Sequence, residues 1–267
     1  MRGKRFYAVA VTVGLCLGLH ATDAAAAPKK INSCTTLTDS SYVLANDLHA
    51  VGDCLLLEND FITIDFAGFG IYGNGTGSGI KWSSNPCCAG RGIEIRDGTI
   101  GFFARGIDLK VIGGAPGVYR IERMRVVGNS HVGVITGLAA IVKDSFFHEN
   151  GSCIFVRGCP PAAAGGGGIN VGPESIVTGN TSTRNTGDGI VVGRGSTVIG
   201  NTVNLNGANG LVASDGSTIV NNTVRNNTGI GLAVTCPSNI LGNTATSNGA
   251  NLVPVGAGCN SEHNLVP

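Results

Sequence analysis

The feature that most restricts the fold is a repeat of 21 residues between Gly168 and Cys259. Asparagine, serine and glycine each return at this spacing and stay in step over successive repeats. The columns are Asn180, Asn201, Asn222 and Asn243; Asn185, Asn206, Asn227 and Asn248; Ser175, Ser196, Ser217 and Ser238; and Gly189, Gly210 and Gly231. Self-similarity at a fixed period of this size is the signature of a repeat protein, so it outranks any local assignment of secondary structure.

Each repeat holds three short β-prone pieces and has no stretch long enough for a helix. In one repeat the pieces are residues 190–192, 197–199 and 202–203, separated by Gly, Asn and Ser. One unit cannot bury its own apolar side chains, whereas stacked units can, with strands about 4.8 Å apart along the stack. The repeat therefore predicts an all-β parallel solenoid with about 21 residues per turn. Its inward residues in this repeat are Ile190, Val192, Val198 and Val203.

The repeat continues towards the N-terminus with irregular spacing and gives roughly eight to ten turns in all. Residues 61–71 alternate apolar with small or polar residues around a glycine break, which predicts two short strands and a tight turn. Leucine-rich repeats are excluded because their L-x-x-L-x-L-x-x-N motif is absent, and left-handed hexapeptide helices because no sub-period of six appears.

The asparagine columns have a structural interpretation. An asparagine side chain both donates and accepts, so stacked copies can bond to each other along the solenoid axis. Asparagine also tolerates the left-handed backbone of tight turns. The competing interpretation is glycosylation, because Asn180, Asn221 and Asn226 each begin an Asn-x-Ser/Thr site. The repeat favours stacking.

Residues 1–26 have the three parts of a secretory signal: a basic start, an apolar run from Phe6 to Leu19, and small residues before the expected cleavage point. The apolar run is shorter than the roughly 20 residues that span a bilayer. Removing residues 1–26 reduces the 18 basic and 17 acidic residues to 15 and 16. The mature chain is therefore expected to be secreted or periplasmic, without membrane insertion. Its charge does not favour nucleic acid or an anionic surface held by bulk attraction.

Eight cysteines remain after residue 26, and in an exported chain they are expected to form disulfides. Local pairing suggests Cys34 with Cys54, Cys153 with Cys159, and Cys236 with Cys259, and leaves open the adjacent Cys87 and Cys88. Metal binding is disfavoured because there is no C-x-x-C spacing and no cluster of histidines. The domain prediction is a disulfide-tied cap over residues 27–60, followed by the solenoid over 61–267 with a disulfide-tied end.

Units of the form Gly-Ile-x-Val, followed by Gly-Ser-x-Val-x-Gly-Asn-Thr, resemble the right-handed parallel β-helix repeats of the pectate-lyase-like superfamily. Residues 61–71 and the Gly-Asn-Thr units at 179, 200 and 242 carry the likeness, which covers about residues 60–260. The resemblance implies a single right-handed parallel β-helix. It does not imply one activity, because the superfamily contains polysaccharide lyases, hydrolases and epimerases as well as non-enzymatic surface proteins.

In the enzymes of that superfamily, the Gly-Ile-x-Val strands line the substrate groove. The outward residue of this strand in each turn is predicted to be Lys81, Asp108, Ile135, then Val156 or Asn170, then Val191, Val212 and Ala233. Insertions at 82–91, 110–118 and 157–167 are expected to follow that same strand and to leave the solenoid on one side. Repeated insertion on one edge commonly builds a binding wall.

The candidate groove therefore consists of Lys81, Trp82, Arg105, Asp108, His131 and Arg157, with Arg91 near the same edge and Trp82 as a surface on which a sugar ring could stack. In the alternative interpretation, Lys81 and Asp108 form an axial ion pair of little energetic value, His131 satisfies a turn, and Trp82 belongs to a wider N-terminal core.

Catalytic patterns of the superfamily are mostly missing. The outer face offers one carboxylate, too few for the calcium site of the calcium-dependent lyases. The Gly-His-Gly of polygalacturonase-like hydrolases and the Asp-Pro-His-Asp of alginate epimerases are absent. A metal-free lyase with Lys, Arg or His as base stays compatible. The leading hypothesis is an exported β-helix protein that binds a polysaccharide at the insertion-bordered face, with turnover left open and no cofactor. The alternative is a non-catalytic surface or matrix scaffold.

Overall fold

The computed structural model describes residues 27–83, 90–110, 117–151 and 166–267. The expected signal at 1–26 lies outside these residues, as do Arg157 and the cysteines Cys87, Cys88, Cys153 and Cys159. Within those ranges the regular structure is all β-strand, as predicted. No helix there has the length and apolar character that crossing a membrane requires.

The strands are numbered in chain order. The first fourteen are β1 Lys29–Ile31, β2 Thr35–Leu37, β3 Ser41–Leu44, β4 Leu48–His49, β5 Leu55–Leu57, β6 Thr63–Asp65, β7 Gly70–Tyr72, β8 Ser78–Trp82, β9 Ile93–Gly101, β10 Arg105–Leu109, β11 Tyr119–Val127, β12 Val132–Thr136, β13 Ala140–Lys143 and β14 Phe146–His148. The others are β15 Ile169–Val171, β16 Ile176–Thr178, β17 Thr181–Thr183, β18 Ile190–Val192, β19 Thr197–Ile199, β20 Thr202–Asn204, β21 Leu211–Ala213, β22 Thr218–Val220, β23 Thr223–Arg225, β24 Ile230–Thr235, β25 Asn239–Leu241, β26 Thr244–Thr246, β27 Ala250–Val255 and β28 Asn260–Glu262.

Two parallel sheets run the length of the stack. The front sheet takes one strand from each of ten turns in the described ranges: β2, β5, β8, β10, β12, β15, β18, β21, β24 and β27. The remaining 18 strands form the back sheet. It bends into a first half, which contains β13, β16 and β19, and a second half, which contains β14, β17 and β20. Strands β9 and β11 are long enough to contribute to both halves. The predicted solenoid is confirmed.

The core lies between the two sheets. The four residues predicted to point inwards in the repeat at 190–203 are each at most 1% exposed. Towards the N-terminus the core contains larger rings, including Phe66, Phe103 and Phe147, each fully buried. Towards the C-terminus the same columns narrow to residues as small as Ala213 and Ala245. The core therefore tapers along the axis.

Two buried asparagine ladders fix the register of the turns, as the repeat predicted. In one, the amide of each asparagine donates to the next side-chain oxygen at 3.0–3.1 Å, through Asn180, Asn201, Asn222, Asn243 and Asn264. The other has steps of 2.8–3.0 Å and joins Asn129, Asn150, Asn185, Asn206, Asn227 and Asn248. Because Asn180 is 1% exposed, its Asn-x-Ser sequence is part of a ladder and is inaccessible to a glycan. Asn221 and Asn226 are exposed in left-handed turns.

The segment 27–60, predicted as a disulfide-tied cap, shares the sheets of the solenoid. Strand β2 pairs in parallel with β5, which pairs in turn with β8, and β3 pairs with β6. Disulfides close both ends of the stack between neighbouring turns, as predicted, and they join Cys34 to Cys54 and Cys236 to Cys259.

Candidate functional site

The outer row of the front sheet is the column of side chains that point away from the core, one from each turn. Register pairs along the stack join Lys81 to Asp108, Asp108 to Ile135, and Ile135 to Asn170. The predicted row is confirmed, and Asn170 is the member that spacing alone left open against Val156. Beyond Asn170 the row is aliphatic, and its members are Val191, Val212, Ala233 and Val253.

Two ion pairs occupy the polar part of this outer row. Lys81 Nζ lies 3.2 Å from Asp53 Oδ2, and Arg105 Nη1 lies 3.0 Å from Asp108 Oδ2 on the same strand. Asp53 also accepts a hydrogen bond of 2.8 Å from the backbone N–H of Ser78. Lys81 and Asp108 are therefore neighbours in the row, but each is paired with another residue. The two cations are about half exposed, whereas the Asp108 side chain is 14% exposed.

His131 joins this group, and Trp82 does not. Arg105 pairs in register with Val132, so the half-buried His131 lies one turn from Arg105 at the same end of the strands. Trp82 is 8% exposed and belongs to the hydrophobic core. The alternation of a strand puts it on the side opposite to Lys81. The expectation that its ring faces a sugar is therefore corrected: Trp82 widens the N-terminal core.

Most residues of the three predicted insertions lie outside the described ranges, so only their places in chain order can be compared with the prediction. The insertions predicted at 82–91 and 110–118 come after β8 and β10 in chain order, and their residues 84–89 and 111–116 lie outside the described part of the chain. The insertion predicted at 157–167, of which 157–165 lie outside the described residues, comes before β15 in chain order and so does not follow the front-sheet strand of its turn as expected. The reason is that Asn170, rather than Val156, supplies the front-sheet strand of that turn.

The corner after β8 and β10 holds a third charged pair and a buried phenol. Arg91 Nε lies 3.2 Å from Asp60 Oδ2, and the Arg91 backbone N–H donates to Asp60 Oδ1 at 3.0 Å. The Tyr119 side chain is fully buried, and its hydroxyl has no hydrogen-bond partner among the residues that the structure describes. Burial, and to a lesser degree the negative charge of Asp60, raise the pKa of Tyr119 to about 12. The phenol is therefore neutral at physiological pH and cannot act there as a base.

A second concentration of charge, which the sequence did not indicate, lies on the first half of the back sheet. Asp65, Arg96 and Glu122 are register neighbours there. Arg123 donates to Asp97 at 2.9 Å, and this hydrogen bond holds the pKa of that carboxyl below its ordinary value. The ion-paired members are Asp65, Glu94, Arg96, Asp97, Arg120, Glu122 and Arg123. Because every charge has an opposite partner, this network ties neighbouring turns together.

Metal coordination has little material in the described part of the chain. No group of three or more His, Cys, Asp or Glu side chains is arranged there to hold an ion. The functional groups in and beside the outer row are the carboxylates, cations, imidazole and amide of Asp53, Asp108, Lys81, Arg105, His131 and Asn170.

Comparison with known proteins gives the fold a family. A family model described as "Right handed beta helix region" matches residues 117–265, more than half of the chain. No curated protein sequence matches. Full-length tailspike protein 2 from Escherichia coli O157:H7 bacteriophage CAB120 is similar with a TM-score of 0.56 at 16% identity, over 85% of this chain and 38% of the tailspike.

Two further solved structures were found to be similar to this chain. The enzymatically active domain of bacteriophage CBA120 tailspike protein 2 gives a TM-score of 0.50 at 15% identity, over 85% of this chain and 42% of the tailspike chain. An A-module of a mannuronan C-5 epimerase from Azotobacter vinelandii gives 0.41 at 12% identity, over 88% and 87%. This chain thus spans about two fifths of the length of the tailspike chains.

Proposed function

This chain belongs to the right-handed β-helix family, and we propose that it binds a polysaccharide along the polar part of its outer row. The observation that carries the proposal is the pair of stacked ion pairs, Lys81 with Asp53 and Arg105 with Asp108. They lie on consecutive turns of the solenoid.

The ion pairs suit a hydroxyl-rich ligand because they hold donors and acceptors in fixed positions. Arg105 uses one of its five N–H donors on Asp108, and the others stay available to a sugar hydroxyl or a uronate carboxylate. Asp53 and Asp108 present acceptor oxygens at the same surface, and Asn170 adds an exposed amide three turns from Lys81. Side chains held in place before binding lose less conformational entropy when the ligand arrives.

Export is part of the proposal. The two disulfides fit an oxidising compartment, and residues 1–26 have the composition of a secretory signal. Mass spectrometry of protein expressed with its natural N-terminus in a secreting host should give a chain that begins near residue 27. Recovery of the uncleaved chain in the cytoplasm would contradict export.

The binding test uses Trp82, the only tryptophan of the chain, as a reporter on the strand that carries Lys81. The mature protein is titrated with soluble uronate-containing and neutral polysaccharides while Trp82 fluorescence and product formation are recorded. Lys81→Ala and Arg105→Ala should each weaken binding about tenfold or more, which is the loss expected for a charge-assisted contact. Lys143→Ala, an exposed cation on the back sheet, is the matched control.

The outcomes separate the candidate functions. Saturable binding that Lys81→Ala and Arg105→Ala weaken and Lys143→Ala leaves unchanged supports the proposal. Product formation that the same variants abolish adds catalysis to it, while binding without product assigns the protein to the non-catalytic class. Failure of every polysaccharide in the panel to bind would overturn the proposal in favour of a scaffold that presents its loops.

A further inference from the structure

The second half of the back sheet carries rings on its outer surface, on the side of the molecule away from the outer row. His49 on β4 and Tyr72 on β7 are register neighbours, and Phe102 directly follows β9 on the next turn. Phe146 and His148 lie on β14. None of the five is in the buried core, where Phe66, Phe103 and Phe147 are found. The five surface rings, His49, Tyr72, Phe102, Phe146 and His148, are called the aromatic row here.

Ring contacts hold the members of the aromatic row in place. The ring centroids of His49 and Tyr72 are 5.6 Å apart, and those of Tyr72 and Phe102 are 6.4 Å apart. On β14 the rings of Phe146 and His148 stack with centroids 5.4 Å apart. The guanidinium of Arg125 lies 5.6 Å from the centroid of Phe146. Aromatic pairs at these separations attract each other beyond their burial of area, so the row is preorganised for a ligand.

Two glycines make room for these rings against the sheet. A Cβ at Gly70 would collide with the ring and hydroxyl of Tyr72, and a Cβ at Gly128 would lie 2.9 Å from the ring of Phe102. Gly128 also donates its N–H to the carbonyl of His148 at 3.0 Å. The Phe102 ring therefore lies over the turn next to His148, which makes the row continuous from β4 to β14.

Polar atoms without partners lie beside the rings. His148 Nδ1 and Asn204 Oδ1 are both buried and have no hydrogen-bond partner within the described ranges. They belong to one outward column, in which Thr183 lies between them in register. The other nitrogen of His148, Nε2, lies 3.1 Å from Glu149. A buried polar atom without a partner destabilises the free protein, so a side-chain rotation that brings it to a ligand hydroxyl would gain free energy.

Rings beside unpaired donors and acceptors fit an oligosaccharide, whose units combine apolar C–H faces with hydroxyl groups. A single-stranded nucleic acid would need a groove of cations along the rings, whereas Arg125 already lies against Phe146 and Arg225 lies beyond the rings, in register with Asn204. We propose that the aromatic row, with the column His148–Thr183–Asn204, is a second carbohydrate-binding surface. It is separate from the outer row and does not depend on it.

The probe is an array of defined neutral and uronate oligosaccharides, read with the full mature protein and followed by calorimetric titration of the glycans that bind. The double variant Tyr72→Ala/Phe146→Ala should lose about tenfold or more of its affinity, since it removes two ring contacts with the ligand. Tyr72→Leu/Phe146→Leu keeps apolar bulk and removes the rings, and it should lose affinity as well. Ile176→Ala removes an exposed aliphatic side chain from the first half of the back sheet and is the matched control.

The two carbohydrate sites are distinguishable in this experiment. Ligand at the aromatic row should leave Trp82 fluorescence unchanged and should bind equally well to Lys81→Ala. Circular dichroism and melting temperature show whether each variant is folded. If the alanine double variant is unfolded, the affinity of the leucine double variant is compared with that of wild type instead. The proposal is overturned if no array glycan binds, if the folded leucine pair binds like wild type, if Lys81→Ala abolishes all binding, or if an oligodeoxythymidylate binds in place of every glycan.

Discussion

Replacing Asn201 by alanine removes one step of a buried ladder. The Asn201 amide donates to Asn222 Oδ1 at 3.0 Å and to the carbonyl of Val177 at 2.9 Å. Its oxygen accepts from the backbone N–H of Asn180 at 2.9 Å and from the Asn180 amide at 3.1 Å. Because Asn201 is 1% exposed, water cannot replace these partners in the variant without entering the core.

The magnitude depends on what each partner keeps. Asn222 Oδ1 keeps a hydrogen bond of 2.9 Å from the backbone N–H of residue 201, and the Asn180 amide keeps the Val142 carbonyl at 2.8 Å. The backbone N–H of Asn180 loses its acceptor. A buried N–H without a partner costs roughly 1–3 kcal/mol, and each ordinary hydrogen bond contributes roughly 1 kcal/mol. We expect the free energy of unfolding to fall by about 3 kcal/mol.

Urea denaturation followed by circular dichroism measures this loss, and amide hydrogen exchange reports on the Asn180 N–H directly. Asn201→Ser should cost less than the alanine variant. The reason is that Ser145 occupies the same column one step earlier, where its hydroxyl accepts from the Met124 N–H at 3.1 Å. Asn239→Ala, at an exposed position on β25, is the matched control and should change stability by less than about 0.5 kcal/mol.

The reasoning is refuted if Asn201→Ala costs no more than Asn239→Ala, or if the exchange protection of the Asn180 amide is unchanged. Either result would mean that the turns are held by strand pairing and apolar burial alone. Equal costs for the serine and alanine variants would show that the hydroxyl does not replace the amide oxygen as acceptor.

Four further outcomes follow from the structure. Gly189→Ala should lower the free energy of unfolding by roughly 2–3 kcal/mol, because its Cβ would lie 2.6 Å from a ladder amide. Gly200→Ala meets nothing within 4 Å and should lower it by about 1 kcal/mol, because the backbone there is left-handed. Equal urea midpoints for the two variants would contradict the packing argument. Cys236→Ser opens a disulfide that spans 23 residues and should cost about 3 kcal/mol in urea denaturation under oxidising conditions; a cost below about 1 kcal/mol would show that the last turn frays independently. The lowered pKa of Asp97 contributes stability that is present above the ordinary value of 3.8 and lost as the pH falls through the folded value. Asp97→Asn should therefore have a lower melting temperature than wild type at pH 7, and this difference should close below about pH 4. A difference in melting temperature that is constant with pH would count against the ion pair. A variant without residues 152–165 should keep the far-ultraviolet circular dichroism spectrum of a β-solenoid and a melting temperature within about 5 °C of wild type. Loss of that spectrum would show that this segment is needed for folding.

The regular half of the chain was predictable because one period governs it. The columns at 180–243 gave the inward residues, the ladders and the aliphatic stretch of the outer row, all of which the structure has. The same alternation that placed Lys81 outside also places Trp82 inside. Applying it to residue 82 as strictly as to residue 81 corrects the assignment of Trp82 without coordinates.

The irregular half was not predictable because its contacts depend on turn spacings that differ from 21. The partner of Lys81 is Asp53, 28 residues earlier, and Arg96 pairs with Asp65 at a separation of 31. The aromatic row escaped notice for the same reason, since His49 and Tyr72 lie on strands of two and three residues that carry no clear repeat. Spacing could not show which rings face outwards there.

The second ladder shows how the stack accommodates a longer sequence spacing between two neighbouring turns. Asn185 and Asn206 are 21 residues apart, whereas Asn150 and Asn185 are 35 apart, yet both pairs bond at 3.0 Å. The extra 14 residues are therefore taken up outside the ladder. The chain leaves at Gly151 and returns at Gly166, and a Cβ at Gly166 would lie 2.5 Å from the Gly151 Cα. Because the two backbones already meet, the ladder sets the register on both sides and the segment between them can change length. In such a solenoid, buried asparagines fix the register of the turns, so surface residues can differ from turn to turn and supply the functional groups.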